Sequence, residues 1–349
     1  MHSATVQCIF EIRPTGRPLT DPALNTGTAA YCASARGTDL DYVVGIRIGL
    51  SGGGVSADRI IEQAVQAEAD GFASIWYASS VFGDPLVAMA MAGRATTSIE
   101  LGTSVLQTYT CHPVLQANRA LSTAAAMGRA GFTLGVGPSH APAIEGAYGL
   151  SYADAAGHTD EYLDVLGPLL LGEGVSHRGS HYRVTIPAAA APSQPVSLMV
   201  SALAPRMLST AGAKTDGTIL WMANAQSIES HVAPKINAAA SGAGRATPRI
   251  VAGLPIAVHD DVAEARAEAA NAFAGYGTLP NYRAILDLGG AAGPGDAAIV
   301  GNEEAVTAQI EALFAAGATD FWAAPFPVGN DRSGSRQRTR ALLNELVSH

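Results

Sequence analysis

The chain has 349 residues, of which 48% are hydrophobic and 15% are charged, and its formal net charge is −9 at pH 7. This length suits one large α/β domain or two smaller ones, and the apolar content allows a substantial core. The negative charge argues against a nucleic-acid partner, and no apolar run approaches the roughly 20 residues that span a bilayer.

The first residues differ in character from the rest of the chain. Residues 1–43 contain turn formers and small residues without sustained periodicity. We interpret them as a poorly ordered N-terminal extension and residues 44–349 as the folded domain. We expect no signal peptide, because no basic segment precedes an apolar one. The three cysteines, Cys8, Cys32 and Cys111, lack metal-ligand spacing, which is typical of a cytoplasmic protein.

Strands and helices alternate from residue 47 onward. An apolar strand at 47–50 precedes a helix that begins at Ser56, a good N-cap residue, and stops at Gly71. The next strand, at 72–77, precedes a helix with Asp84 at its N-cap and a proline at its first position.

The third strand is predicted at 99–105 and the fourth at 131–137. Between them lies a helix that begins after His112, with Val114, Ala117, Leu121 and Ala125 predicted as its apolar stripe. The four remaining strands are predicted at 196–202, 217–222, 250–258 and 319–326.

Eight nearly continuous apolar strands that alternate with helices predict an α/β fold, a (β/α)8 TIM barrel. The segments after strand 4 and before strand 8 are too long for simple connections, so we expect insertions there that are helical in part. A Rossmann sheet is the alternative, but no strand–GxGxxG–helix motif supports it.

The turn "GVGPSH" (135–140) follows strand 4 at the barrel end where active sites lie. No Gly-Lys-Ser/Thr follows it, which excludes a P-loop, and His140 stands where the dinucleotide fingerprint needs its third glycine. The turn therefore either binds a ligand in another way or only reverses the chain.

Several segments together resemble the luciferase-like superfamily, in particular its oxidoreductases that use the deazaflavin coenzyme F420. The resemblance extends over residues 45–345 and rests on "LGTSVLQTYTCHPVLQANRALSTAAAMG", "FTLGVGPSH", "RGSHYRV", "SALAPRMLSTAGAKTDGTILWM" and "VGNEEAVTAQIEALFAAGATDFWAAPF". It implies a TIM barrel with the cofactor across its C-terminal face, hydride transfer to or from the deazaflavin, and a homodimer.

The resemblance also implies a set of cofactor-binding residues. It places a cis peptide between Ser104 and Val105 under the tricyclic ring, and Gln107 at the polar edge of the ring. The position before His112 is Cys111, where relatives carry an arginine, so that arginine's role is in doubt here. The ribityl or phosphate part would contact the turn after strand 4 and the start of the helix after strand 5, namely Gly135, Val136, Gly137, Pro138, Ser139, Ala202, Leu203, Ala204 and Arg206. A helix N-terminus suits a phosphate group.

Candidate catalytic residues are Asp84 and His112. Both also have a structural explanation as helix-capping residues, and for Asp84, which precedes a proline at a helix start, capping is the favoured explanation. Trp76 and Trp221 end strands 2 and 6 and would line the pocket or belong to the core. His140, His181 and Tyr182 are weaker candidates from the inserted segment, and no metal site is predicted because "HRGSHYR" reads as extended.

Three functions remain open at this point. The first is an F420-dependent oxidoreductase that transfers a hydride between the deazaflavin and a small organic substrate. The second is an FMN-dependent luciferase-like monooxygenase on the same fold. The third is a non-catalytic cofactor-binding protein, because no compelling acid or base stands out.

Overall fold

A computed structural model describes residues 47–54, 56–80 and 83–348. The predicted extension at 1–43 lies outside this range. In the first half the elements are β1 (Ile48–Gly52), α1 (Ala57–Ala69), β2 (Ser74–Tyr77), α2 (Pro85–Ala95), β3 (Glu100–Thr103), β4 (Leu106–Gln107), α3 (Pro113–Met127) and β5 (Phe132–Gly137).

The middle of the chain begins with the insertion after β5. Its elements are α4 (Ala141–Tyr148), α5 (Ala155–Leu170), β6 (Val175–Arg178), β7 (Arg183–Ile186), β8 (Val196–Val200), α6 (Pro205–Lys214), β9 (Gly217–Trp221), α7 (Ala225–Ser227), a π-helical turn (Ile228–Val232) and α8 (Ala233–Gly242).

The last part contains the second insertion. Its elements are β10 (Arg249–Val258), α9 (Val262–Ala272), a 3-10 turn (Ala274–Gly277), α10 (Pro280–Leu288), α11 (Pro294–Ala297), β11 (Ile299–Gly301), α12 (Glu303–Ala315), β12 (Asp320–Pro325) and α13 (Arg332–Val347).

Eight parallel strands close into a barrel in the order β1, β2, β3, β5, β8, β9, β10, β12. The closing contact pairs Ile48 of β1 with Phe321 of β12. The predicted (β/α)8 barrel is therefore confirmed, and each of the eight predicted strands overlaps an observed one. The strands could be predicted because both of their faces are covered, so their sequences are almost continuously apolar.

The two insertions are also where the sequence predicts them. The segment after β5 contains two helices and the antiparallel hairpin β6–β7. The segment before β12 contains α9 to α12 and the short strand β11, which pairs with the outer end of β10. No helix among the described residues is both long enough and apolar enough to cross a membrane.

Two parts of the core lie on opposite sides of the barrel wall. One fills the space between the barrel and its helices, and includes Ile60, Leu134 and Leu343. The other fills the barrel interior and comprises Trp76, Met199, Ile219, Val251 and Trp322. Interior side chains plug a barrel of this size, so a ligand must bind above them at one end.

Helix α3 differs from its predicted packing. Of the predicted stripe only Ala117 is buried, whereas Ala125 is exposed. The buried face instead includes Gln116, Ala120 and Thr123, because α3 packs against α2 on one side and α5 on the other. Because this helix has alanines and polar residues on several faces, apolar periodicity alone does not identify the buried one.

Candidate active site

A cavity of about 360 Å³ opens at the C-terminal ends of the barrel strands. Its walls come from the strand ends, the turn after β5, the start of α6 and the insertion before β12. The lining residues are Ser51, Ala78, Ser104, Val105, Pro138, Ser139, His140, Ser201, Ala202, Leu203, Ala204, Met207, Ile219, Leu220, Trp221, Phe273, Tyr276, Asn281, Tyr282, Trp322 and Ala324. We call it the main cavity.

One edge of the main cavity is formed where strand 3 is interrupted. Strand pairing of β3 ends at Thr103, the peptide between Ser104 and Val105 is cis as expected, and pairing resumes in β4. The Thr103 hydroxyl bonds both the carbonyl and the N–H of Gly135 at 2.8 Å, which holds β5 across the gap. The Ser104 hydroxyl lines the cavity and is buried without a hydrogen-bond partner among the described residues.

The glycines of "GVGPSH" allow close packing of neighbouring segments. A Cβ on Gly135 would lie 2.0 Å from the Thr103 carbonyl oxygen, and one on Gly137 would lie 2.2 Å from the Ser201 hydroxyl. Val136 is fully buried in the outer core. None of these three predicted residues lines the main cavity, although Gly137 packs directly behind Val105 and Ser201, which do.

The turn after β5 reaches the cavity one residue further on. Pro138 and Ser139 both line it, as predicted. Ser139 has a positive φ of 63°, and its carbonyl accepts a 2.6 Å hydrogen bond from the Tyr152 hydroxyl. The turn thus shapes the cavity wall and is held from outside by the insertion.

The start of α6 forms the opposite wall. Ala202, Leu203 and Ala204 line the cavity as predicted, and no side chain caps the helix N-terminus at Ala204. Arg206 does not line the cavity; its guanidinium lies on the surface, 3.0 Å from the Asp154 carboxylate. The helix end therefore offers uncapped N–H groups without a fixed side-chain cation beside them.

Gln107 and Asp84 lie together in a neighbouring chamber of about 280 Å³. Gln107 Nε2 lies 3.4 Å from the Ser139 hydroxyl, so Gln107 contacts the wall between the two spaces. Asp84 caps α2 by accepting from the Leu86 N–H at 3.0 Å, and its other oxygen lies 2.6 Å from Arg119. Both of its oxygens are thus engaged in structural contacts.

His112 also acts as a cap. Its Nδ1 accepts from the Val114 N–H at 3.3 Å at the start of α3, and its ring meets the Tyr182 ring edge-on. It lines neither the main cavity nor the neighbouring chamber. The structure therefore brings neither Asp84 nor His112 to the main cavity.

His181 and Tyr182 belong to a separate cluster under the first insertion. The Tyr182 hydroxyl is 2.7 Å from His158 Nε2, and His158 stacks on Tyr109 with 3.9 Å between ring centroids. Burial, followed by the nearby His181, lowers the pKa of His158 to about 4. This cluster supports the insertion and does not line the main cavity.

Five aromatic residues form one side of the main cavity, and we call them the aromatic wall: Trp221, Phe273, Tyr276, Tyr282 and Trp322. Of the two predicted tryptophans, Trp221 is part of it, whereas Trp76 is 1% exposed in the barrel interior. Phe273, Tyr276 and Tyr282 come from the second insertion and could not be predicted, because the sequence of an insertion does not show how it packs over the barrel. Trp322 could have been found, since it lies within predicted strand 8.

Comparison with known proteins agrees with this architecture. A family model described as luciferase-like monooxygenase matches residues 39–333. An F420-dependent hydroxymycolic acid dehydrogenase of Mycobacterium tuberculosis is 29% identical over 241 residues, which are 64% of this chain and 65% of that protein. Matches to three curated relatives span 36% to 65% of the relatives' lengths.

Solved structures share the fold along most of the chain. The coenzyme F420-dependent tetrahydromethanopterin reductase from Methanopyrus kandleri has a TM-score of 0.70 and 20% identity, covering 87% of this chain and 98% of that one. The oxygenating constituent of 3,6-diketocamphane monooxygenase from Pseudomonas putida, in complex with FMN, has a TM-score of 0.65 and 17% identity over 87% and 98%. With a family model that matches most of its length, the chain belongs to the luciferase-like monooxygenase family.

Proposed function

We propose that the protein is a coenzyme F420-dependent oxidoreductase that transfers a hydride between the deazaflavin and a small organic substrate. The proposal rests on the charge of the main cavity. None of its described lining residues is a lysine, arginine, aspartate or glutamate. The start of α6, which has no side-chain cap, offers a helix end that attracts an anion.

F420 and FMN differ most in their phosphate groups. Both have a tricyclic ring, a ribityl chain and a phosphate, but FMN ends in a phosphate dianion, whereas F420 continues as a singly charged diester with a lactyl-glutamyl tail. A buried dianion needs more than a helix end, whereas a diester with an exposed tail does not. The name of the mycobacterial relative supports the same cofactor.

The residues present fit such a group. Ser104 Oγ and Trp221 Nε1 line the cavity as buried polar atoms without partners among the described residues, so each has a hydrogen bond to offer a ring with polar edges. Val105 and the segment from Ala202 to Ala204 would hold the ring and the phosphate. When bound, the deazaflavin would supply the hydride donor or acceptor that no side chain can provide.

Calorimetric titration with two matched ligand pairs tests this assignment. F420 is compared with its phosphate-free chromophore, and FMN with riboflavin. We expect micromolar binding of F420, at least tenfold tighter than its chromophore, and little gain of FMN over riboflavin. Tight FMN binding, or a protein that purifies yellow with bound flavin, would instead support the FMN-dependent monooxygenase.

A further inference from the structure

The aromatic wall is a rigid apolar surface built largely by the second insertion. Trp221 meets Phe273 and Tyr276 at nearly right angles, with ring centroids 5.9 and 5.7 Å apart. Tyr276 meets Tyr282 edge-on at 5.0 Å. Such edge-to-face contacts fix the orientation of each ring. The wall therefore presents a preformed apolar face on one side of the main cavity.

His140 stands at the edge of this wall and is the cavity's one lining residue with an imidazole. Its ring lies 5.2 Å from the Tyr282 ring, and its nitrogens make no hydrogen bond within the described part of the chain. It precedes α4 without capping it through its side chain. Its hydrogen-bonding capacity therefore stays free for a ligand.

Burial and uncharged surroundings favour the neutral form of His140. Burial lowers the pKa of His140, and burial also raises the pKa of Tyr276 and Tyr282. The serines and the asparagine that line the cavity, Ser51, Ser104, Ser139, Ser201 and Asn281, carry no charge. At neutral pH this part of the cavity is therefore uncharged, with one imidazole able to donate one hydrogen bond and accept another.

We propose that the part of the main cavity bordered by the aromatic wall and His140 binds an uncharged, mostly apolar substrate with one carbonyl or hydroxyl oxygen, which hydrogen-bonds to the His140 imidazole. The inference rests on the proposed function, because it leaves the ring and phosphate sites to the cofactor. A carboxylate or phosphate substrate would be buried without a cation among the described lining residues, which disfavours its binding. An apolar body gains from contact with the four wall rings that are not assigned to the cofactor, Phe273, Tyr276, Tyr282 and Trp322.

The test uses two isosteric probes and the protein without cofactor. Methyl naphthyl ketone and naphthoate have the same size, but only naphthoate is charged. At pH 8, calorimetry should show the ketone binding at least tenfold more tightly than naphthoate. With a ¹³C-labelled carbonyl, the bound ketone should show a downfield carbonyl signal, which reports a hydrogen bond to its oxygen.

Two variants identify the partner of that oxygen. His140→Phe should abolish the downfield shift and weaken ketone binding about three- to tenfold, the effect of one hydrogen bond. Tyr282→Phe keeps the ring against His140 and should leave the shift in place. If His140→Phe does not fold, His140→Gln, which retains a donor, should keep a shifted signal.

Three results would overturn the proposal: equal affinity for ketone and naphthoate, a carbonyl shift unchanged in His140→Phe, or loss of the shifted signal when F420 saturates the protein. The last result would place the ketone in the cofactor's part of the cavity. The probes are tested on protein without cofactor, so ketone binding and F420 binding are measured separately. Ketone binding can fail while F420 still binds, and F420 binding can fail while the ketone still binds. Failure of this inference is thus distinct from failure of the proposed cofactor.

Discussion

Val105 presents an apolar side chain to the main cavity, where we propose that the cofactor ring lies. Val105→Asp would place a carboxylate against a cavity wall without any cation among its described residues. We expect F420 affinity, measured by calorimetry, to fall at least tenfold, about 1.4 kcal/mol. Val105→Ala removes only methyl groups and should change the affinity by a few fold. Equal effects of the two variants would place the ring elsewhere.

His158 should make stability depend on pH, because folding holds its pKa at about 4, below the usual value near 6.5. The folded state disfavours the charged form, so this contribution is fully present above pH 6.5 and is lost as the pH falls toward 4. The difference amounts to about 3 kcal/mol at most. Urea unfolding between pH 4.5 and 7.5 measures it.

Two variants separate titration from packing at this position. His158→Phe keeps the stacking on Tyr109 but cannot bind a proton, so the free energy of unfolding should change less with pH. Tyr182→Phe removes the hydrogen bond to His158 but keeps the imidazole, and should retain the wild-type slope. An unchanged slope in His158→Phe would contradict the assignment. Sequence reasoning did not find His158, because its burial depends on how the first insertion packs.

At the scale of elements, Asp84 ties the start of α2 to α3. One oxygen caps α2 and the other contacts Arg119, which also reaches Cys111 and Gln116. Asp84→Ala should lower the free energy of unfolding by about 1–2 kcal/mol through loss of the cap and part of the ion pair. Asp84→Asn retains a cap and should cost less. Both should leave F420 affinity within a few fold of wild type.

The measurement also decides between the two explanations for Asp84 that the sequence left open. Thermal melting measures the stability that the cap contributes. Calorimetry measures F420 affinity, and the turnover rate of the F420-bound protein tests a catalytic role. A turnover loss above a hundredfold in Asp84→Asn, with stability nearly unchanged, would make Asp84 catalytic after all. The cap itself could be predicted from the sequence, because Asp accepts a backbone hydrogen bond at a helix start and Pro fits the first helical position.

Helices and strands that are determined by nearby residues could be predicted from the sequence. Features that depend on contacts between distant residues could not. Strands β1 and β10 were found within about two residues because apolar runs bounded by turns are visible in a single sequence. Strand 3 was predicted as continuous to residue 105, whereas β3 ends at Thr103. The interruption depends on Thr103 bonding Gly135 across the sheet, which no local pattern records.

At the scale of the whole molecule, the two ends of the barrel have different roles. The main cavity lies at the C-terminal end, while four charged residues close the N-terminal end. Arg249 contacts Glu100 at 2.9 Å and Asp320 at 2.8 Å, and Arg47 contacts both carboxylates at 2.9 Å. Glu100, Arg249 and Asp320 are the first residues of β3, β10 and β12, and Arg47 immediately precedes β1. In TIM barrels this end serves stability.

Asp320 is the most deeply buried member, so removing its charge should be costly. Burial alone would raise the pKa of Asp320, but hydrogen bonds and the charge of Arg249 outweigh burial and lower it. Its contribution is therefore present above the ordinary carboxyl pKa near 4 and is lost as the pH falls below that value. Asp320→Asn should lower the free energy of unfolding at pH 7 by about 2–4 kcal/mol, because it leaves the two partly buried arginines with Glu100 as their one remaining carboxylate in the network.

A surface pair provides the matched control. Arg338 contacts Glu303 at 2.7 Å with both side chains well exposed, so Arg338→Ala should cost at most about 1 kcal/mol. Since the Asp320 network and the cavity lie at opposite ends of the barrel, folded Asp320→Asn should bind F420 as wild type does. Urea unfolding and calorimetry on both variants check this. If Asp320→Asn is no less stable than Arg338→Ala, the network contributes little, and if it loses F420 affinity while folded, the two ends are coupled.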